Sequence, residues 1–276
     1  MAVISAFADE IAPDLKTQMD VCEAHGVRCI DVRGIDGINV SKLTVKQAAG
    51  YKRQMDDRGF SVPCIGSPIG KIRIDEPFEP HLELLKHCCE VAKAFGCSQI
   101  RVFSFYPSKG RDIAEQRTEV MDRMAAMVKL AEQADVVLLH ENEKRIYGAK
   151  PQAVKDLFET IASDRLKGIF DPANFVEEDI APYNDGWQAG LAELTDYFHI
   201  KDKVPGAATC VPAGQGAGQI EEIFRDVKAR NWSGVMALEP HMKAAGQFAG
   251  FTGPELFCKA ADGLKGLLER VGLAYQ

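Results

Sequence analysis

Short β-rich runs alternate with amphipathic helical windows along the whole chain, and this alternation restricts the fold more than any other feature. The runs are AVISAF from Ala2, RCIDVR from Arg28, FSVPCIG from Phe60, QIRVFSF from Gln99, DVVLLHE from Asp135, LKGIFD from Leu166, YFHIKD from Tyr197 and GVMALE from Gly234. Helical periodicity falls at Leu15–His25, Val45–Arg58, Glu79–Ala94, Ile113–Gln133 and Ala153–Ile161. It is weak at Gln188–Leu194 and resumes at Ile220–Ala229 and Pro254–Val271. Gly26, Gly59 and Gly96 stand just past helix ends, where a left-handed cap is expected. Strands that each lead into a helix pair in parallel, because the crossover returns the chain to the same end of the sheet. Eight such units predict an α/β fold, a single closed (β/α)8 barrel of the TIM type over residues 1–276. An open doubly wound sheet would need a glycine-rich turn after its first strand, and Ala6-Phe7-Ala8-Asp9-Glu10 has none.

The 276 residues suit one barrel, which takes about 250. No linker or shift in composition divides them. A formal charge of −7 argues against nucleic acid as a partner, since that needs a basic face. No apolar run reaches the roughly 18 residues of a membrane span, so no membrane association is expected. The start MAVISAFADE has no basic segment and too short an apolar one for secretion. The eight cysteines contain no CxxC pair and read as reduced thiols. The expected compartment is the cytoplasm. Association into a homo-oligomer is left open.

The second half places a metal-capable side chain at or just inside the end of each of four successive runs. These are Glu141 in VVLLHEN, Asp171 in KGIFDPAN, His199 in DYFHIKD and Glu239 in GVMALEPH. Strand ends of a parallel barrel share one mouth, so four residues far apart in sequence can meet on one cation. Three carboxylates and an imidazole form a mostly hard donor set that suits Mn, Mg or Co and accepts Zn.

Other polar groups fall at the same mouth: Glu10 after the first run, Arg33 at the second, and Ser67 and Lys71 after the third. Lys201 shares the face of His199, and His241 follows Glu239-Pro240. These six are the candidate substrate-binding residues, with pairing to neighbouring protein groups as the alternative. Arg101 lies earlier in the fourth run. His140 should face away from Glu141 by strand alternation, into packing. Asp202 is expected behind the ligands, and His25, His81 and His87 in packing or at the surface. The loop Gly66–Pro80 and the glycine-rich stretch His241–Phe257 could each cover the mouth. GQGAG at Gly214–Gly218 has the look of a phosphate loop but follows no strand directly.

The segments LHEN (Leu139–Asn142), FDPAN (Phe170–Asn174), HIKD (His199–Asp202), VPAGQGAGQI (Val211–Ile220) and LEPH (Leu238–His241) resemble those of the sugar phosphate isomerase/epimerase group of xylose-isomerase-like barrels. That group includes inosose isomerases and dehydratases, ketose 3-epimerases, hydroxypyruvate isomerase and the endonuclease IV enzymes. The resemblance covers essentially the whole chain. It implies metal ligation by Glu141, Asp171, His199 and Glu239, with the two glutamates also acting as the acid/base pair. Many relatives carry histidine where this chain has Asn174 and Glu143, which counts against a trinuclear DNA-repair centre. The expected activity is isomerisation or epimerisation of a keto-sugar or cyclitol, by proton transfer through a metal-stabilised enediolate. The alternatives are a lyase acting on an inosose or 3-keto-glycoside, an endonuclease-type hydrolase, and a binding barrel without activity.

Overall fold

Seven of the eight expected runs pair into one parallel sheet among the described residues, 1–243 and 252–276 of a computed structural model. They are β1 (Ala2–Ala6), β2 (Cys29–Ile30), β3 (Gln99–Val102), β4 (Val137–Glu141), β5 (Leu166–Phe170), β6 (Thr195–Ile200) and β7 (Gly234–Leu238). Their order is β2-β1-β7-β6-β5-β4-β3, so the first strand pairs with the last, in register from Ala2↔Gly234 to Ala6↔Leu238.

Residues 61–65, the third expected run, fill the gap between β2 and β3. They do so through isolated bridges, Cys29↔Ser61 and Val32↔Ile65 on one side and Ile65↔Ile100 on the other. The Val32 N–H donates to Cys64 O at 3.1 Å, Ile65 N–H to Gln99 O at 2.9 Å, and Arg101 N–H to Ile65 O at 2.9 Å. Pro63 has no N–H, so a continuous ladder cannot run through this segment. The barrel closes at a seam.

The helices are α1 (Leu15–Ala24), α2 (Val45–Asp56), α3 (Glu79–Ala94), α4 (Arg117–Ala134), α5 (Pro151–Ile161), α6 (Pro172–Val176), α7 (Ile220–Ala229) and α8 (Pro254–Val271). Local chemistry sets their starts. Asp14 accepts the Thr17 N–H, Thr44 and Gln47 form a reciprocal capping box, and Pro151 and Pro254 occupy first-turn positions where no N–H is needed. Gly26, Gly59 and Gly96 adopt φ of +64°, +70° and +67°, as expected past helix ends. The helices α4 and α5 stop at Asp135 and Ala162, also left-handed but without glycine as a signal. In the sixth unit, α6 is followed by wide, π-type turns over Pro182–Leu191 in place of the weak helix expected there. A two-residue hairpin, Gly34–Ile35 with Ile38–Asn39, turns on Asp36-Gly37 beside Arg33. Asp-Gly between apolar residues is its sequence signal. Of the stretch His241–Phe257, residues 244–251 lie outside the described residues.

Strand alternation builds the floor of the site. Leu139, Ile169, Tyr197 and Ala237 each lie two residues before a candidate ligand and pack with Phe7 and Cys64 inside the barrel. Asp31 brings a buried carboxyl into this interior. Asp31 accepts hydrogen bonds from the hydroxyls of Ser5 and Tyr197, the latter at 2.7 Å to both oxygens. Burial pushes its carboxyl up to about 6 despite these donors. A carboxyl raised above its unfolded value stabilises the fold below the unfolded pKa, and that contribution is lost as pH rises through about 6. Relative to Asp31→Asn, the wild type should lose about 3 kcal/mol of stability between pH 4 and pH 7. Urea midpoints of both proteins across that range check this, and a constant difference would refute it.

Candidate metal centre

Glu141 ends β4, Asp171 follows β5, His199 lies in β6 and Glu239 follows β7, and one ligand atom from each lies within 4.8 Å of all the others. All four residues are buried. Asp171 also caps α6, its Oδ1 accepting the Asn174 N–H at 3.0 Å. The Asn142 amide ties the ends of β4 and β5 together, donating to Asp171 O at 2.9 Å and accepting the Asp171 N–H at 2.8 Å. Asn174 Nδ2 donates to Glu141 Oε1 at 3.2 Å.

Among the described residues His199 Nε2 is buried with no hydrogen-bond or ion-pair partner, while Asp171 Oδ2 and His199 Nδ1 make ion-pair contacts but no well-aligned hydrogen bond. His199 Nδ1 faces Glu141 Oε1 at 3.1 Å and Glu239 Oε2 at 3.8 Å. An unsatisfied buried polar atom costs about 1–3 kcal/mol and calls for an explanation. Inward-facing carboxylate oxygens around an imidazole nitrogen form a donor set that a divalent cation satisfies. The residues fit one such ion.

Cations surround the carboxylates. Lys201 Nζ stands 2.5 Å from Asp171 Oδ2, 2.6 Å from Glu239 Oε2 and 3.9 Å from Glu141 Oε1. Arg101 reaches Glu141 Oε2 at 3.2 Å, and Arg33 reaches Glu239 Oε1 at 2.9 Å and Asp9 at 2.7 Å. Burial alone would raise both glutamates. For Glu141 the charges of His199 and Arg101 outweigh it, and for Glu239 those of Lys201 and His241 do, holding each below the usual carboxylate range. At Asp171 burial prevails over Lys201 and pushes the carboxyl up to about 7. One ammonium shared among three carboxylates leaves Asp171 the least compensated.

A cavity of about 390 Å³ opens above the cluster, and Arg33, Lys71, Arg101, Glu141, Lys201, Glu239 and His241 help to line it. Of the six substrate-binding candidates, four therefore reach the cavity. Glu10 lies buried behind it, accepting the His241 N–H at 2.9 Å and facing His241 Nε2 at 2.9 Å. The Ser67 hydroxyl is buried and donates to the Arg101 carbonyl. Lys71 pairs with Glu143 at 2.8 Å. His140 faces away, with Nε2 2.9 Å from the Ser104 hydroxyl. His81 is buried and accepts the Gly70 N–H at 2.7 Å, which pins the Gly66–Pro80 loop. Arg101, Asn142 and Asn174 were not expected to touch the centre. An arginine inside an apolar strand run was the available signal for the first.

The sequence model of the xylose isomerase-like TIM barrel family matches residues 19–265. The chain belongs to that family. None of the curated proteins matches it in sequence. Among solved structures it is similar to a probable 3-DHS dehydratase of Bacillus anthracis, with 16% identity over 96% of this chain and 99% of that one and a TM-score of 0.76. It is also similar to a zinc-bound IolI protein, with 15% identity over 99% and 97% of the two chains and a TM-score of 0.71. A 3-keto-D-glucoside 4-epimerase of E. coli has 16% identity over 98% and 100%, with a TM-score of 0.72. At these identities the likeness shows the fold.

The glycine loop of this barrel holds an anion of its own. The Asp202 carboxylate accepts N–H bonds from Lys203, Gly214, Gly216 and Gly218 at 2.8–2.9 Å. A Cβ on Gly216 or Gly218 would stand 2.4 or 2.6 Å from Asp202 Oδ1, so glycine is required for this approach. Backbone amides in such a concavity favour any anion, and here Asp202 takes the place a phosphate would. Asp202→Ala should cost on the order of 3 kcal/mol, with part of the loss recovered in sulfate. Denaturation midpoints with and without sulfate test this, and an unchanged midpoint in plain buffer would count against it.

Proposed function

We propose that this barrel is a divalent-metal-dependent isomerase or epimerase of a keto-sugar or cyclitol, acting on a small molecule in the cytoplasm. The reading is carried by three carboxylates and an imidazole meeting at the floor of one cavity, with Glu141 and Glu239 both open to it. The resemblance in fold to proteins described as a sugar epimerase and a dehydratase supports the same reaction class.

Glu141, Asp171, His199 and Glu239 would hold the ion, with Mn, Mg or Co favoured and Zn acceptable, as the zinc-bound IolI neighbour suggests. When bound, such an ion supplies Lewis-acid polarisation of a carbonyl and the adjacent hydroxyl. The protein's own groups move the proton. Both glutamates are held ionised, each between fixed donors, so either can take the C–H proton beside the carbonyl. The other, once it has taken up a proton from solvent in the cavity, returns it to the opposite face for epimerisation or to the adjacent carbon for isomerisation. Lys201 stands where its ammonium can stabilise negative charge developing on the substrate oxygen.

His241 favours a second reading. Its imidazole lines the cavity 3.4 Å from Glu239 Oε1 and is steadied by Glu10, a place suited to protonating a leaving group. The same deprotonation would then end in β-elimination from an inosose or 3-keto-glycoside.

The test is proton NMR of metal-supplemented protein in D2O with a panel of ketoses, inososes and 3-keto-glucosides. Deuterium should enter beside the carbonyl of at least one member, and the product then separates an epimer from an alkene. No exchange with any member, in protein carrying stoichiometric metal, would sink the proposal.

A further inference from the structure

The rim of the cavity carries positive charge that the rim's own carboxylates do not use. Lys71 answers Glu143 at 2.8 Å. Glu177 is shared by Lys144 at 2.6 Å and Lys203 at 2.9 Å. Arg145 also lines the cavity and, among the described residues, its guanidinium has no carboxylate within ion-pair distance. Glu178 is nearby through its contact with the Arg145 N–H at 3.2 Å but does not line the cavity. The rim is thus cationic in excess, although the chain as a whole has a formal charge of −7.

Arg145 is also held in a costly backbone conformation. Its φ is +63°, in the left-handed region that a long side chain rarely adopts. The turn is anchored on both sides, by the Asn142 amide on β5 and by the N–H groups of Tyr147 and Gly148, which donate to Ser104. A long, exposed cationic side chain on a strained turn that lines the cavity is a candidate for a role at the mouth. A guanidinium without a carboxylate matches a planar or tetrahedral oxyanion.

We infer that the substrate carries an anionic group, a carboxylate or a phosphate, and that Arg145 binds it at the rim with Lys71 and Lys144 beside it. This rests on the proposed function of the cavity and narrows its substrate to acidic or phosphorylated polyol derivatives. A neutral sugar would leave the guanidinium, which is solvent-exposed, to water alone.

Calorimetric titration of the protein as purified, with erythritol, erythronate and erythritol 4-phosphate as probes, tests the inference without turnover. At least one anion should bind about tenfold more tightly than erythritol, more weakly in 0.3 M salt, and the preferred arm names the group. Arg145→Asn should remove that preference and leave erythritol binding unchanged. Asparagine tolerates positive φ, so its melting temperature should be equal to or above that of the wild type. Chelation of a bound metal by the probes is common to both proteins and cancels in the comparison. Equal binding of anions and erythritol by the wild type would overturn the inference, as would an anion preference that survives in the variant. Anion selectivity without any D2O exchange would instead retain the subsite and reject the isomerase reading.

Discussion

Glu239→Gln is expected to lose proton abstraction from one stereoisomer of the substrate while keeping it from the other. Glutamine preserves the volume and one acceptor oxygen but cannot take a proton, and removing a general base typically costs about 10²–10⁴ in rate. If Glu141 and Glu239 serve opposite faces, each variant retains the base for the face it has not lost. Glu141→Gln should then show the complementary pattern, and neither variant should complete turnover. Isomer-resolved deuterium wash-in reads this directly, and thermal melts separate it from unfolding. Exchange lost equally from both isomers in one variant, with the other variant active, would leave a single catalytic glutamate.

Lys201→Met should destabilise the metal-free protein by about 3–5 kcal/mol, the usual consequence of removing one partner from a buried ionic cluster. The ammonium is almost wholly buried and touches Asp171 and Glu239 at 2.5 and 2.6 Å. Without it, Asp171 keeps only the Asn174 N–H at its other oxygen. For a chain of this size the melting temperature should fall by on the order of 10 °C. Manganese should then raise it more in the variant than in the wild type, because a divalent cation meets the charge that lysine leaves behind. Equal stability under chelation, or the same metal-induced shift in both proteins, would rule this account out.

The clustering of Glu141, Asp171, His199 and Glu239 was legible because its signal is local: each is a polar residue ending an apolar run, and strand period turns all four inward. The groups that hold them were harder to see. Asn142 and Asn174 act through amides whose partners lie on another strand, and no spacing in the sequence reveals that. Asp202 and the glycine loop show the same limit. GQGAG reads as a phosphate cradle until the fold brings a carboxylate into it from the preceding strand end. Helix stops were legible at Gly26, Gly59 and Gly96, but not at Asp135 or Ala162, which take the left-handed cap without a glycine to signal it. The third strand was expected as an equal of the others, and Pro63 makes it something less.

That seam divides the barrel mechanically. From β3 through β7 to β1 neighbouring strands are joined by ladders, with one register shift between β5 and β6 at Gly168/Ile169, and every candidate ligand sits on this arc. Residues 61–65 are held by a few bridges, and the chain runs from them straight into the loop that carries Lys71. An opening at this seam would loosen the wall that carries Lys71 and leave the cluster of Glu141, Asp171, His199 and Glu239 in register. New loops can be tried at such a joint without retuning the catalyst.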